Sequence, residues 1–237
     1  MKILLAGATG LVGGHVLTQL LAEPACSAVI APTRRALGLA HPKLHNPLLD
    51  FDALPVQAPW WQVDAGICAL GTTMRQAGSR EAFRRVDHAY PLAIARLLRQ
   101  HGAEAFALNS ALGADPHSWA FYNRVKGDLE NDLRALAYPS LTLVRPGLIG
   151  GERAQRRPGE HAASVVLRAL GPLLPRRYRI NPAERIAAAL VAGRAAAASG
   201  CAGDRRGAVG LGTGIGEWGF GIGGDLRVGS TARVDAH

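Results

Sequence analysis

The opening residues MKILLAGATGLVG constrain the fold more than any other stretch of this chain. A short apolar run, Lys2 to Ala6, leads straight into Gly7, Gly10 and Gly13 in a G-x-x-G-x-x-G pattern, and an apolar segment of helical length follows. Strand, glycine turn and helix in that order build a phosphate-binding end. Glycine lets the chain turn tightly and lets backbone amides approach a pyrophosphate, while the helix N-terminus adds partial positive charge. The pattern predicts a dinucleotide-binding unit.

The rest of the chain repeats the alternation of short apolar runs with longer amphipathic ones that marks βαβ units. Strands are expected at 2–6, 27–31, 65–69, 104–109 and 140–145, with a weaker one at 44–49; helices are expected at 10–22, 79–101 and 116–137. Pro91 should kink or break the second helix. A further helix is signalled by Asn181 as N-cap, Pro182 at the first helical position and Glu184 three residues after the cap, and should run to about Ala198. The expectation is an α/β fold with a doubly wound parallel sheet, a Rossmann fold, in a single domain over residues 1–198. Its small substrate-side portion, 146–198, begins with the turn-rich PGLIGGERAQRRPGEHA, read as a loop over a pocket. The tail, 199–237, holds twelve glycines between positions 200 and 229. It has little apolar surface to offset its ordering entropy, so it is expected to be poorly ordered.

The formal charge of +9 would suit nucleic acid, but the arginines are scattered rather than interleaved with aromatics, and only Lys2, Lys43 and Lys126 are lysine. No nucleic-acid motif is present, so no such partner is expected. Cys26, Cys68 and Cys201 lack metal-ligand spacing and cannot all pair with one another, which predicts no metal site and a reducing compartment. The N-terminal apolar run is far shorter than a secretory signal or a membrane span, and a cytoplasmic location is expected.

Two stretches speak to chemistry. At the end of the second predicted strand, where an acidic residue would hold the ribose of NAD, the chain reads APTRR, with Thr33, Arg34 and Arg35. Arginine there pairs with a 2′-phosphate, which favours NADP, and NADPH as its reduced form, over NAD. In FYNRVKGDLE, Tyr122 and Lys126 stand four residues apart, on one helix face. Ser110 ends the fifth predicted strand, twelve residues before Tyr122. A phenol ionises near pH ~10, and a nearby ammonium should lower that value. A serine hydroxyl can hold a substrate carbonyl. The three groups together suit hydride transfer with a proton relay. His88 reads as structural and Cys68 as core.

With these motifs in place the sequence resembles the short-chain dehydrogenase/reductase superfamily, and more narrowly its atypical branch that includes the Tat-interactive protein (CC3) group and its bacterial homologues. The stretches that carry the resemblance are GATGLVG, LGTT at Leu70–Thr73, FRRVDHAY at Phe83–Tyr90, SALGAD at Ser110–Asp115, FYNRVKGDLE, RPGLIGGER at Arg145–Arg153 and RPGE at Arg157–Glu160. It spans residues 1 to about 198. The resemblance implies that Gly7, Thr9, Gly10, Leu11 and Val12 bind the pyrophosphate and that Arg34 and Arg35, beside Thr33, bind the 2′-phosphate. It also implies that Asp50 and Phe51 border the adenine, although a turn aspartate is an equal reading for Asp50. Leu70, Gly71 and Thr72 would line the cofactor near its ribose. Tyr122 would be the general acid in reduction, Lys126 would hold the nicotinamide ribose, and Ser110 would orient the substrate.

The chain departs from that pattern in having Asn109 before Ser110 where two serines are usual. It also has Asp87 and His88 where an active-site asparagine is sought. The expected activity is NADP-dependent reduction of a small carbonyl or similar acceptor. The alternatives are a catalytically weak NADPH sensor that meets a protein partner and, more weakly, a sugar-nucleotide epimerase that uses NAD.

Overall fold

The computed structural model describes residues 1–147, 149–150, 181–193, 214–219 and 229–230. Its strands are β1 (Lys2–Ala6), β2 (Ala28–Ile30), β3 (Leu44–His45), β4 (Ala65–Cys68), β5 (Ala105–Asn109), β6 (Ser140–Arg145), β7 (Ile149–Gly150), β8 (Asn181–Pro182), β9 (Gly214–Gly219) and β10 (Gly229–Ser230). The helices are α1 (Leu11–Ala22), α2 (Met74–Ala77), α3 (Arg80–Arg84), α4 (Tyr90–Gln100), α5 (Phe121–Ala135) and α6 (Ala183–Gly193). The main sheet runs β10-β9-β6-β5-β4-β1-β2-β3. Its six central and edge strands from β3 to β6 are all parallel, in the doubly wound order whose direction reverses between β1 and β4.

Alternation along β1 divides the core in two. Ile3 and Leu5 face Val12, Val16 and Leu20 of α1 together with Ile186 and Leu190 of α6. Leu4 and Ala6 face the other side, where Ile94 and Leu98 of α4 and Leu129 and Leu133 of α5 pack with Phe106 and Leu141. The central strands β1, β4, β5 and β6 thus bury both faces, as a parallel sheet between two helical layers requires.

Three departures from the sequence expectations have local causes. The segment expected as one helix over 79–101 is α3, a π-helical turn at Arg85–Ala89, and α4. Pro91 has no amide to return to the Asp87 carbonyl, and the widened turn sits directly before it. The helix expected over 116–137 starts only at Phe121, because Asp115 holds the preceding loop in a turn by accepting the His117 amide at 2.8 Å. Asn181 is not an N-cap: Asn181 and Pro182 are extended and pair with Ile149 and Gly150, so the helix begins at Ala183. Residues 194–198 of that expected helix, and most of the expected loop over the pocket, lie outside the described residues.

The tail differs as well. Gly214–Gly219 forms a strand in parallel register with β6 along its whole length. Its glycine-rich sequence displays no period of its own, and its register follows from pairing with β6. The remainder of 199–237, apart from β10, lies outside the described residues.

Candidate active site

A cleft of about 1120 Å³ opens at the C-terminal ends of β1, β4 and β5, at the point where the strand order reverses. A smaller, shallower depression beside Lys2, Ser27 and Asp64, at the opposite ends of the strands, gathers no comparable set of reactive groups. The loop from β1 into α1 forms one wall. Gly7 has a positive φ of 92°, and a Cβ there would lie 2.6 Å from the Ala69 carbonyl carbon. A Cβ on Gly13 would fall 1.9 Å from the Gly7 carbonyl oxygen. Both positions demand glycine, and the resulting tight turn carries the amides at the α1 N-terminus to the cleft.

Of the residues expected at the cofactor, Thr9, Gly10, Leu11, Val12, Leu70, Gly71 and Thr72 line this cleft, as do Ser110, Tyr122 and Lys126. Gly7 supports it from behind, against Ala69. Thr33, Arg34, Arg35, Asp50 and Phe51 lie outside it. Thr33 is buried, where its hydroxyl donates to the Arg35 carbonyl at 2.7 Å and accepts from Asn46 at 2.8 Å. Arg34 and Arg35 are exposed and form no ion pair among the described residues. Asp50 Oδ1 accepts the Asp52 amide at 2.9 Å, which is the turn geometry. Phe51 is buried against Tyr90, ring centroids 5.5 Å apart.

The centre of the site is an ion pair that sequence reading did not assign. Asp87, in the π-helical turn, is fully buried; its Oδ1 lies 2.9 Å from the Lys126 ammonium and its Oδ2 accepts the Thr72 amide at 2.8 Å. The Oδ1 contact is ionic, its angles falling outside those of an aligned hydrogen bond. Burial by itself pulls the Lys126 ammonium down, but Asp87, with the Tyr122 phenol, more than offsets that and holds it above the ordinary lysine value.

Tyr122 stands one turn before Lys126 at the cleft mouth, 41% exposed, with its ring edge-on to Phe83 at 5.8 Å. Its pKa is raised, which corrects the expectation drawn from the lysine alone. Desolvation is the largest cause; Lys126 opposes it, and the Asp87 carboxylate adds to it. The lysine charge that should favour the phenolate is largely neutralised by its own counter-ion. Tyr122 is therefore a protonated phenol at neutral pH, suited to give a proton rather than take one.

Ser110 is turned away from the expected role. It is 3% exposed, and its hydroxyl donates to Glu130 Oε1 at 2.5 Å. Glu130, 1% exposed, also receives Arg145 through Nε at 3.0 Å and through Nη2, and Arg134 at 3.4 Å. Asn109, immediately before Ser110, lines the cleft, and its buried side-chain oxygen has no partner among the described residues. Glu130 and Asp87 could have been suspected. Lys126 and Glu130 adjoin the apolar stripe Val125, Leu129 and Leu133, and charges placed there need partners.

His88 is structural, 2.8 Å from Asp132 on α5. Cys68 lies beneath the site in β4, where burial pushes its thiol from the ordinary 9.0 up to about 11. Among the described residues no cluster of three or more His, Cys, Asp or Glu is arranged to hold a metal ion, and no helix is long and apolar enough to cross a membrane.

Searching the sequence against protein-family models gives no match. Single relatives are informative. The chain is 34% identical over 179 residues to the protein fmp52, mitochondrial, of Emericella nidulans, covering 72% of this chain and 76% of that one. It is 36% identical over 166 residues to the protein HTATIP2 of Rattus norvegicus, covering 68% of each. The chain belongs to this HTATIP2 and fmp52 family of atypical short-chain dehydrogenase/reductases. Solved structures agree on the fold. MoeE5 in complex with UDP-glucose and NAD superposes with a TM-score of 0.65 at 17% identity, over 96% of this chain and 78% of its own. The Bordetella bronchiseptica enzyme WbmH in complex with NAD+ gives a TM-score of 0.59 at 13% identity, over 81% and 71%. The chain therefore shares the Rossmann fold of these structures.

Proposed function

We propose that this protein is an NADP-dependent oxidoreductase that reduces a small carbonyl or similar acceptor, with Tyr122 as the proton donor. The observation that carries the reading is the buried Asp87–Lys126 pair beside a protonated, solvent-reachable Tyr122. The glycine turn fits a dinucleotide, since the space that side chains on Gly7 and Gly13 would need is already taken by backbone. Thr9, Gly10, Leu11 and Val12 would hold the pyrophosphate, Leu70, Gly71 and Thr72 the adjoining sugar, and Lys126 the nicotinamide ribose. Arg34 and Arg35, whose guanidiniums are free of ion pairs among the described residues, would take the 2′-phosphate. The cofactor, when bound, supplies hydride.

The chain's own contribution is to orient and to protonate. Asp87 fixes the Lys126 ammonium, and it ties the loop that carries Thr72 to the same point. Desolvation keeps the proton on Tyr122 until an acceptor oxygen draws it.

The test is a fluorescence titration of NADPH and NADH into the purified protein, with oxidation followed against carbonyls and quinones. Tyr122→Phe should cut turnover by about 10²–10⁴-fold while leaving NADPH affinity in place. Unchanged turnover in that variant refutes the assignment. Arg34→Ala with Arg35→Ala should lower the NADPH preference over NADH, and an unchanged ratio refutes the cofactor choice.

A second reading, an NADPH sensor with a protein partner, draws on the Ser110 hydroxyl, whose proton is committed to Glu130 and so withheld from a substrate. Tight nucleotide binding without turnover of any probe would favour it. The epimerase reading is weaker, because an acidic residue is missing at Arg34 and the structures that carry UDP-sugars resemble this chain in fold alone. Cell fractionation decides between the cytoplasm and the mitochondrial setting in the fmp52 relatives' names.

A further inference from the structure

Asn109 ends β5, in register with Val144 of β6, and lines the same cleft as Lys126 and Tyr122. Its Oδ1 is buried without a donor among the described residues. An amide oxygen shut away from water and left unpaired is costly, and such a group at a cleft wall is satisfied when a ligand arrives. Its neighbour Ser110 is the opposite case, its hydroxyl proton committed to Glu130 inside the protein.

What the amide asks for follows from its inventory of donors and acceptors. A bare carbonyl can only accept, and leaves Oδ1 unpaired. A hydroxyl can both donate and accept, and so satisfies the amide in either of its two orientations.

We propose that Asn109, rather than Ser110, binds the ligand at the reacting end of the cleft, and that it does so through a ligand hydroxyl. This rests on the reading of the cleft as a nicotinamide-nucleotide site. The hydroxyl has two sources, the nicotinamide ribose of the cofactor or the carbon next to the acceptor's carbonyl.

The experiment uses the full chain as wild type, Asn109→Leu, Asn109→Ser and Ser110→Ala. NADPH affinity is read by fluorescence, and binding of acetoin and of butan-2-one, which differ by one hydroxyl, is read on the NADP+ complex. If the ribose is the source, Asn109→Leu weakens NADPH by about tenfold or more. If the acceptor is the source, NADPH affinity holds, the wild type prefers acetoin by about tenfold, and Asn109→Leu loses that preference. Ser110→Ala should keep both properties within about twofold while lowering the unfolding temperature. Asn109→Ser shows a smaller loss of the same kind, and it carries the test should the leucine variant not fold.

Asn109 variants that match the wild type in both readouts overturn the assignment, as does a Ser110→Ala variant that folds normally yet loses the ligand. A wild type that binds neither NADPH nor NADH fails differently, because it removes the nucleotide site itself.

Discussion

Replacing Asp87 by asparagine tests the centre of the site with a quantity the structure supplies. The amide keeps an oxygen for the Thr72 N–H but leaves the Lys126 ammonium, whose side chain is 4% exposed, without its counter-charge. Breaking a buried ion pair from one side costs about 3–5 kcal/mol, against a total stability on the order of 5–15 kcal/mol. At ~2–4 °C per kcal/mol for a chain of this length, the unfolding midpoint should fall by roughly 6–20 °C. Lys126→Met should cost a similar amount, since it strands the Asp87 carboxylate. The double variant Asp87→Asn with Lys126→Met removes both charges and should recover most of the loss, giving a coupling energy that approaches the sum of the two single losses, roughly 6–10 kcal/mol.

The assay is thermal unfolding for the midpoints and urea unfolding for the free energies of all four proteins. Lys126 titrates above its ordinary value when folded, so its contribution is complete below the unfolded lysine value of ~10.4 and disappears only as pH rises through the folded one. The coupling should therefore be flat from pH 7 to 9. Two single variants within about 0.5 kcal/mol of wild type, adding without interaction, would refute the claim that this pair is desolvated and coupled.

Three further outcomes are expected. Gly13→Ala places a methyl 1.9 Å from the Gly7 carbonyl oxygen; isothermal titration should show nucleotide binding abolished or the chain unfolded, and normal affinity would mean the turn is not built as described. Cys68, whose thiol sits at about 11 when folded against 9.0, binds its proton more tightly in the native state, so stability should fall as pH rises above 9. That slope approaches about 1.4 kcal/mol per pH unit between the two values, or about 2 kcal/mol by pH 11, and Cys68→Ala should remove it in pH-dependent denaturation. Glu130→Gln leaves Arg145 facing a neutral partner in a buried site and should lower the thermal midpoint by several degrees, whereas an unchanged midpoint would place Glu130 in solvent.

The strands were legible because β4, β5 and β6 are short runs buried on both faces, and burial of that kind leaves an uninterrupted apolar signature. The glycine turn was legible because its chemistry is local. What could not be read was whatever depended on distant parts of the chain meeting. Asp87 stands 39 residues before Lys126, and only the packing of the π-helical turn on α5 brings the carboxylate to the ammonium. The sign of the Tyr122 shift was missed for the same reason, since the lysine was visible and its counter-ion was not. Ser110 was assigned from its place at a strand end, but its direction was decided by Glu130. The strand at Gly214–Gly219 carries no pattern at all, because its register comes from β6.

Tyr122, Lys126 and Glu130 recur every fourth residue along α5, and this spacing explains how the helix is held. Its apolar residues Val125, Leu129 and Leu133 would tolerate small rotations about the helix axis, because hydrophobic contact is non-directional. Two buried ionic contacts of opposite sign do not. Lys126 is drawn to Asp87 on the π-helical turn, while Glu130 is drawn to Arg145 on β6 and to Ser110 at the end of β5. The helix is pinned at successive turns to the π-helical turn at one level and to the sheet at the next, and the position one turn before Lys126 is Tyr122. The contribution of these pairs is therefore to the direction of one phenol rather than to net stability, where a buried pair gains little over apolar residues of the same shape. Lys126→Met combined with Asp87→Asn is the discriminating case: it should unfold near the wild-type midpoint and yet, with α5 free to turn at that level, lose turnover beyond what the missing ammonium alone removes.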